Sequence, residues 1–191
     1  MHFKKVKRKD RKRYENFKNL YFQAFPKEER RPLYKLWLSS KLSRIDIFAL
    51  EEDGDFIGLL VTAKDQDLVW IDYLAIHPAY RGQGYGSKTL EKVKEYYKNS
   101  RIFLEVETPL DQVDNYHQRI KRIEFYKQNG FDNSGLRVNC FSCDFTILTY
   151  NGKVDYEEYT GMTKSTYGLF TYLISQFERL DSSYEMSEQA S

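Results

Sequence analysis

Hydrophobic positions in this chain change their spacing several times, and each change marks the boundary of a predicted element. The early stretches "YENFKNLYFQAF" and "KEERRPLYKLWLSSKL" place apolar residues three and four positions apart, which predicts two amphipathic helices. "IDIFAL", "FIGLLVTAKD" and "LVWIDYLAI" are short apolar runs typical of strands, and Asp53-Gly54 between the first two is a hairpin signal. The third run is apolar at nearly every position, which indicates burial on both faces of a sheet.

The second half repeats this alternation of helical and extended patterns. "SKTLEKVKEYYKNS" and "HQRIKRIEFYKQNGF" have helical spacing, while "RIFLEVE" between them has the pattern of a strand. "LRVNCFSCDFTILTY" predicts two strands in a hairpin, and "DYEE" predicts the capping box of a last helix that continues through "YGLFTYLISQF". With a short strand around Phe3 and Val6, the order predicts an α/β (α+β) fold: a mixed, mostly antiparallel sheet with helices on both faces.

The length of 191 residues fits one domain with an appendage. We expect a domain over residues 1–150, a helical extension over 151–180 packed on it, and a polar tail over 181–191. No run approaches the ~18 apolar residues that span a bilayer, and the basic N-terminus lacks the apolar segment of a signal peptide. We therefore expect a cytoplasmic protein without membrane contact, either a monomer or a homodimer.

Positive charge is concentrated near the N-terminus, although the net charge is only +2. The stretch from Phe3 to Arg13 contains eight of the 30 Lys and Arg residues and one acid, which leaves a net charge of −5 on the remainder. A basic arm on an acidic body would suit nucleic acid. Apolar positions run through the arm, however, so we interpret its charges as solvated faces and do not expect nucleic acid as a partner.

A cluster of glycines lies in "HPAYRGQGYG", directly after the buried strand and directly before a helix. Gly82, Gly84 and Gly86 occupy alternate positions there, and Arg81 precedes them. The first N–H groups of a helix lack intrahelical partners and favour a negative group. The pattern therefore predicts either a cradle for a pyrophosphate or a purely structural turn.

The longer string "LAIHPAYRGQGYGSKTLEKV" resembles the acetyl-CoA signature of the GNAT superfamily of N-acetyltransferases. Arg81, Gly84 and Gly86 meet its Gln/Arg-x-x-Gly-x-Gly/Ala pattern, and Tyr126 lies in a downstream Tyr-x-x-x-Gly-Phe pattern that is also typical of the family. The resemblance covers roughly residues 3–150. It implies a sheet splayed at its centre, acetyl-CoA as co-substrate, and direct transfer of the acetyl group.

The resemblance also implies roles for individual residues. The pantetheine arm would pair with residues 74–76, and a backbone N–H near Ile76 would polarise the thioester carbonyl. Tyr126 matches the family's tyrosine that protonates the leaving thiolate. The candidate cofactor-binding residues are Leu74, Ala75, Ile76, Arg81, Gly82, Gln83, Gly84, Tyr85, Gly86 and Ser87.

The general base is sought among the carboxylates of the central strands. Strand alternation predicts Glu105 and Glu107 on one face, and Asp72 on one face with Leu74 and Ile76. An unpaired charge in a buried run is costly, so Asp72 is a candidate functional carboxylate. Glu107 is a second candidate. For each of the two, the alternative is a structural role at the strand end, such as an ion pair with an arginine.

Two positions depart from the family pattern. Many members have Asn and Ala early in the helix that bears the tyrosine, where this chain has Arg119 and Arg122. We expect these arginines either to contact cofactor phosphates or to be solvated.

Neither the cysteines nor the histidines predict a metal site. Cys140 and Cys143 have Cys-x-x-Cys spacing, but a zinc site needs about four ligands and the three histidines are scattered. Positions three apart in a strand point to opposite faces, so we expect these cysteines not to pair. His77 precedes Pro78 at a strand end, and we expect it at the surface.

The resemblance thus implies an N-acetyltransferase that acts on a primary amine of a small-molecule or peptide acceptor. The alternative is a non-catalytic module or sensor that binds acyl-CoA on a similar fold. The sequence does not identify the acceptor.

Overall fold

The protein was analysed as a computed structural model that describes residues 1–27, 29–110, 115–140, 143–169, 173 and 177–180. The strands are β1 (His2–Lys5), β2 (Ile45–Glu52), β3 (Asp55–Asp65), β4 (Leu68–Ile76), β5 (Arg101–Glu107), β6 (Asp132–Cys140), β7 (Cys143–Tyr150) and β8 (Glu178–Leu180). The helices are α1 (Arg11–Ala24), α2 (Leu33–Lys41), α3 (Tyr85–Tyr96), α4 (Tyr116–Gln128) and α5 (Tyr156–Tyr167), and a single 3₁₀ turn covers Pro78–Tyr80.

The strands form one sheet in the order β1-β2-β3-β4-β5-β7-β6-β8. Neighbouring strands are antiparallel except for β4 and β5, which are parallel. Pairing of β4 with β5 ends at Ile71 opposite Leu104, although both strands continue beyond that point. The predicted mixed sheet is therefore confirmed, and it opens at its centre between the ends of β4 and β5.

Helices cover the two faces of the sheet in two groups. Helices α1, α2 and α5 pack on one face over a core that includes Trp70 and Phe103, and we call this the α5 face. Helices α3 and α4 pack on the other, over a core that includes Ile71 and Leu104, and we call this the α3 face. The opening between β4 and β5 lies between these two cores.

A β-bulge in β4 changes which face each residue lines. Val61 of β3 pairs with Tyr73 while Thr62 pairs with Ile71, so Asp72 is the extra residue. After the bulge, Leu74 and Ile76 pack on the α3 face, whereas Asp72 contacts residues of the α5 face. The prediction that Asp72 shares a face with Leu74 and Ile76 is therefore wrong, because simple alternation does not hold across a bulge.

The hairpin of β6 and β7 contradicts the reason given for expecting the two cysteines not to pair. Cys140 and Cys143 are register partners on neighbouring strands, so they lie opposite each other rather than on opposite faces of one strand. The chain reverses direction between them, and the rule for positions three apart in a single strand does not apply. Both remain thiols.

The predicted last helix is interrupted at Gly168, although Leu169 and Leu173 further along the predicted range are also helical. α5 begins at the predicted capping box, in which Asp155 accepts from the N–H of Glu158 at 2.8 Å. It ends at Tyr167, where Gly168 has a φ of +86°. Beyond it lies β8, a strand that the sequence did not predict, which pairs with β6. Residues 170–172 and 174–176 of the predicted helix, and the predicted tail over 181–191, lie outside the described residues. The division at residue 150 stays a prediction.

Candidate active site

The glycine loop joins the end of β4 to the beginning of α3. The backbone N–H of His77 donates to the carbonyl of Ile57 at 2.8 Å, and one 3₁₀ turn follows. Gly82 and Gly84 have φ angles of +73° and +79°, a left-handed backbone that favours glycine. A Cβ at either position would meet no atom within 4 Å, so the space above the loop is open.

The N-terminus of α3 faces this open space without a side-chain cap. Gly84 is the N-cap residue, so it supplies no side chain to accept from the first helical N–H groups. The first turn of α3 contains no acidic residue. The N–H groups of Tyr85, Gly86 and Ser87 are thus suited to an anion.

Arg81 and Gln83 are exposed and stabilise the backbone of the loop. The Arg81 Nε donates to the carbonyl of Ile76 at 3.1 Å, and the Gln83 Nε2 donates to that of Ala79 at 2.9 Å. Arg81 therefore brings its positive charge back to the end of β4, beside the opening of the sheet.

The third glycine of the cluster has a packing role. A Cβ on Gly86 would lie 2.9 Å from Cζ of Phe125, so a larger residue there would force the ring of Phe125 to shift. Gly86 thus brings the helix that follows the loop against the helix that contains Tyr126.

Backbone groups of β4 face the opening of the sheet. Hydrogen-bonding direction alternates along an antiparallel strand, and His77 directs its N–H at β3. The N–H groups of Leu74 and Ile76 therefore point away from β3, toward β5, whose pairing with β4 has already ended at Ile71. Ala75, between them, is buried on the α5 face.

Tyr126 lies near the end of α4, on the α3 face. A Schellman motif ends this helix: Phe131 N–H donates to the carbonyl of Tyr126 at 3.0 Å, and Gly130 N–H donates to that of Lys127 at 2.8 Å. The tyrosine ring packs against the same core as Leu74 and Ile76. Burial raises the pKa of Tyr126 to about 12, so its hydroxyl stays protonated at neutral pH.

Glu107 is neutralised by the two arginines of α4. Its carboxylate lies 2.8 Å from Nη2 of Arg119 and 3.0 Å from Nη1 of Arg122. Arg119 also donates to the carbonyl of Thr108 at 2.8 Å. These arginines therefore tie α4 to the end of β5.

Asp72 lies on the α5 face, and its side chain is only 4% exposed. The hydroxyl of Tyr167 donates to its Oδ2, and Nε of Arg31 lies 3.8 Å from the same oxygen. The Arg31 guanidinium stacks over the ring of Tyr167 at 4.0 Å. Burial raises the pKa of Asp72, while Arg31 and Tyr167 counteract part of this rise.

Glu105 also faces the opening, although the sequence analysis did not include it among the candidate bases. Its Oε1 accepts from the hydroxyl of Tyr159 at 2.6 Å. Burial raises the pKa of Glu105 to about 7, the hydrogen bond from Tyr159 lowers it, and Asp72 raises it further. Glu105 and Asp72 are the first residues beyond the last pair of β4 and β5, so two carboxylates flank the opening. The sequence signal that could have identified Glu105 is an acidic residue within a buried strand, which is the signal that identified Asp72.

Within the described ranges, no three side chains of His, Cys, Asp or Glu are grouped as metal ligands would be. Over the same ranges, no helix combines the length and the apolar character that crossing a bilayer requires.

Comparison with known families places most of the chain in one match. Residues 14–131 match the model of the Acetyltransferase (GNAT) family. YjbC of Bacillus subtilis, provisionally named an acetyltransferase, is 33% identical over 122 residues. That alignment covers 60% of this chain and 60% of YjbC, so the chain matches about three fifths of that relative's length.

Solved structures share the fold. A GNAT-family protein from Bacteroides thetaiotaomicron has 24% identity and a TM-score of 0.72 over 88% of this chain and 99% of its own. The ribosomal-protein-S18-alanine N-acetyltransferase from Escherichia coli has 19% identity and a TM-score of 0.58, with 82% and 96% covered. The spermidine N-acetyltransferase from Vibrio cholerae, solved with CoA and spermine, has 15% identity and a TM-score of 0.57, with 78% and 93% covered.

Proposed function

The chain belongs to the GNAT family of acetyltransferases, and we propose that it transfers the acetyl group of acetyl-CoA directly to a primary amine. The observation that carries the proposal is the opening between β4 and β5. Tyr126, a protonated phenol, packs against the α3-face core together with Leu74 and Ile76, and Glu105, whose pKa burial raises to about 7, contacts Tyr159 on the α5 face. A reaction that must remove one proton and supply another suits these two groups.

The residues around the loop fit acetyl-CoA, which would supply a thioester whose acetyl group an amine can accept. The N–H groups of residues 85–87 and the guanidinium of Arg81 would bind its pyrophosphate, in the open space above Gly82 and Gly84. The N–H groups of Leu74 and Ile76 would bind the pantetheine arm as a neighbouring strand does.

Three groups of the chain would act on the reacting atoms. The N–H of Ile76 would donate to the carbonyl oxygen of the thioester, where negative charge develops. An alkyl amine has a pKa of about 10.4 in water, so it needs a proton acceptor to become a nucleophile, and we assign this role to Glu105. The hydroxyl of Tyr126 would donate a proton to the departing sulfur.

The two carboxylates expected to be catalytic from the sequence would have supporting roles. Glu107 forms ion pairs with Arg119 and Arg122, so both of its carboxylate oxygens already have a cationic partner. Asp72 is paired with Arg31 and lies almost entirely inside the protein. We propose that Glu107 holds α4, and with it Tyr126, in place, and that Asp72 influences the charge of Glu105.

The acceptor is proposed as a small-molecule or peptide amine. The names of two structural relatives specify spermidine and the alanine of ribosomal protein S18, and both contain an amine. A carboxylate without an arginine at ion-pair distance, as Glu105 is among the described residues, suits a group that arrives as a cation.

The test measures the release of free CoA thiol when the protein is mixed with acetyl-CoA and each member of a panel of primary amines. A parallel calorimetric titration measures the binding of acetyl-CoA. We expect thiol release above the rate of spontaneous hydrolysis with at least one amine. Binding without thiol release for every amine would favour the non-catalytic acyl-CoA module instead.

A further inference from the structure

Helix α5 follows the residues that match the family, yet it contacts both carboxylates that flank the opening. Tyr159 donates to Glu105 and Tyr167 donates to Asp72. We propose that Tyr159 is a positioning residue for acetyl transfer, which holds the carboxylate of Glu105 at the opening through its hydroxyl. The inference rests on the proposed function, because it concerns the group that we assign as proton acceptor.

Helix α5 is fixed along β5. Glu158 forms an ion pair with Arg101 at 2.7 Å, and Arg101 also donates to Asp67 at 2.8 Å. Arg101 and Glu105 are four residues apart on the same strand, while Glu158 and Tyr159 are neighbours on the helix. The ion pair at the beginning of β5 therefore sets the place at which Tyr159 meets Glu105.

The far end of α5 is fixed as well. The hydroxyl of Ser39, on α2, donates to the carbonyl of Thr166 at 3.0 Å, and Tyr167 reaches Asp72 on β4. One helix is thus attached to both strands that border the opening. A helix held at both ends presents its side chains with little freedom.

Tyr159 is buried between helix α5 and the sheet. Its side chain is 1% exposed, and its ring contacts Phe103 and Phe177 with centroid distances of 6.0 and 5.4 Å. Burial raises the pKa of Tyr159 well above 10, so its hydroxyl keeps the proton that it donates to Glu105. A buried hydroxyl that loses its partner is costly, so this bond is strongly favoured. It occupies Oε1 and leaves Oε2 as the oxygen available to an amine.

Charged and polar groups from three parts of the chain influence the protonation of Glu105. The groups that act on it are Tyr159 of α5, Asp72 of β4, and Arg31 and Glu29 of the segment between α1 and α2. Asp72 and Glu29 favour the protonated carboxyl, whereas Tyr159 and Arg31 favour the carboxylate. Removal of the Tyr159 hydroxyl should therefore raise the pKa of Glu105 above its value of about 7.

The experiment compares Tyr159→Phe with Tyr156→Phe. Tyr156 lies on the same helix, and its hydroxyl donates to the carbonyl of Phe177 at 2.9 Å. One readout needs no turnover: the titration of the Glu105 carboxyl by ¹³C NMR, assigned with Glu105→Gln. The other is the pH profile of kcat/KM with one fixed amine, so that the titration of the amine is common to all variants.

We expect Tyr159→Phe to move the Glu105 midpoint upward by about one pH unit. On the acid side of the profile, kcat/KM should then fall about tenfold and recover at high pH. Tyr156→Phe should leave the midpoint and the profile unchanged. If Tyr159→Phe does not fold, Glu158→Gln, which weakens the attachment of α5, should move the midpoint in the same direction by a smaller amount.

Two results would overturn the inference, and they differ. An unchanged Glu105 midpoint in the folded Tyr159→Phe variant, or in Glu158→Gln if that is the variant used, would show that Tyr159 does not act on this carboxylate, whatever the activity. Wild-type protein that releases no thiol with any amine would overturn the proposed function, and with it the part of Tyr159 in transfer, even if the midpoint moved.

Discussion

Three carboxylates lie on the two central strands beyond their last paired residues, and their partners distinguish them. Glu107 has two arginines at ion-pair distance, and Asp72 has Arg31 and a tyrosine hydroxyl. Glu105 differs from both, because the contact to its carboxylate among the described residues is a hydrogen bond from the hydroxyl of Tyr159. A general base must exchange its proton near the working pH, and Glu105 meets this condition best.

Substitution of Glu105 by Gln should change stability as well as activity. Burial raises the pKa of this acid from 4.5 to about 7, so folding becomes less favourable as the pH rises through that interval. Glutamine does not ionise, and Glu105→Gln should lack this loss, which amounts to at most roughly 3 kcal/mol. Urea unfolding at pH 4.5 and pH 8 measures it. An equal pH dependence in both proteins would contradict the raised pKa.

Tyr126→Phe keeps the ring and removes only the hydroxyl. We expect kcat to fall by about 10²–10⁴-fold, because general acid catalysis is lost, while the affinity for acetyl-CoA stays within a few-fold. Tyr97→Phe is the control, since its hydroxyl bonds Thr62 at 2.7 Å within the same core. It should lower stability and leave kcat near wild type. A Tyr126→Phe variant with unchanged kcat would remove this tyrosine from the mechanism.

Gly84→Ala tests the proposed pyrophosphate site. Gly84 and Gly135 have φ angles of +79° and +80°, and a Cβ at either would meet nothing within 4 Å. Alanine therefore brings similar backbone strain at both positions, but only at Gly84 does the methyl group enter the proposed site. We expect Gly84→Ala to weaken acetyl-CoA binding at least tenfold by calorimetry and Gly135→Ala to leave it unchanged. Equal affinities would place the phosphates elsewhere.

Elements with a clear hydrophobic period were predictable from the sequence, whereas irregular positions were not. The amphipathic helices and the strands of the central sheet follow from spacing, and the glycine loop follows from its place between β4 and α3. The bulge at Asp72 left no signal, because a strand that is apolar on both faces shows no alternation to interrupt. β8 was missed since its three residues are too few to show a period.

The candidate site was predictable to a similar extent. The loop and Tyr126 follow from a resemblance to known motifs. The partners of each carboxylate could not be predicted from the sequence, because Arg31, Tyr159 and Tyr167 are remote in sequence from the acids that they contact. These partners determine which acid can act as the general base. The general base could therefore be assigned among Asp72, Glu105 and Glu107 only once the fold was known.

The N-terminal strand should contribute to the stability of the fold. β1 pairs with β2 at the edge of the sheet, Phe3 packs on Phe48 at a centroid distance of 5.5 Å, and Val6 is 6% exposed. Removal of residues 1–9 would uncover this part of both cores and should lower the melting temperature by roughly 10 °C. A truncated protein that melts with the full chain would contradict a structural role for β1.

At the scale of the whole molecule, the sheet separates two sets of helices, and its opening connects them. The α3 face contains the glycine loop and Tyr126, which we assign to the acetyl donor. The α5 face contains Glu105 and its tyrosine, which we assign to the acceptor. Donor and acceptor would thus meet between β4 and β5, and the acetyl group would pass without a covalent attachment to the protein.

A single-turnover experiment tests direct transfer through this opening. The protein is mixed with an equimolar amount of ¹³C-acetyl-CoA and an excess of the best amine from the panel, and the reaction is sampled by mass spectrometry. We predict that the acetylated amine and free CoA appear at one common rate and that the protein never gains an acetyl group. Free CoA without acetylated amine, or an acetylated protein that forms before the product, would contradict the account.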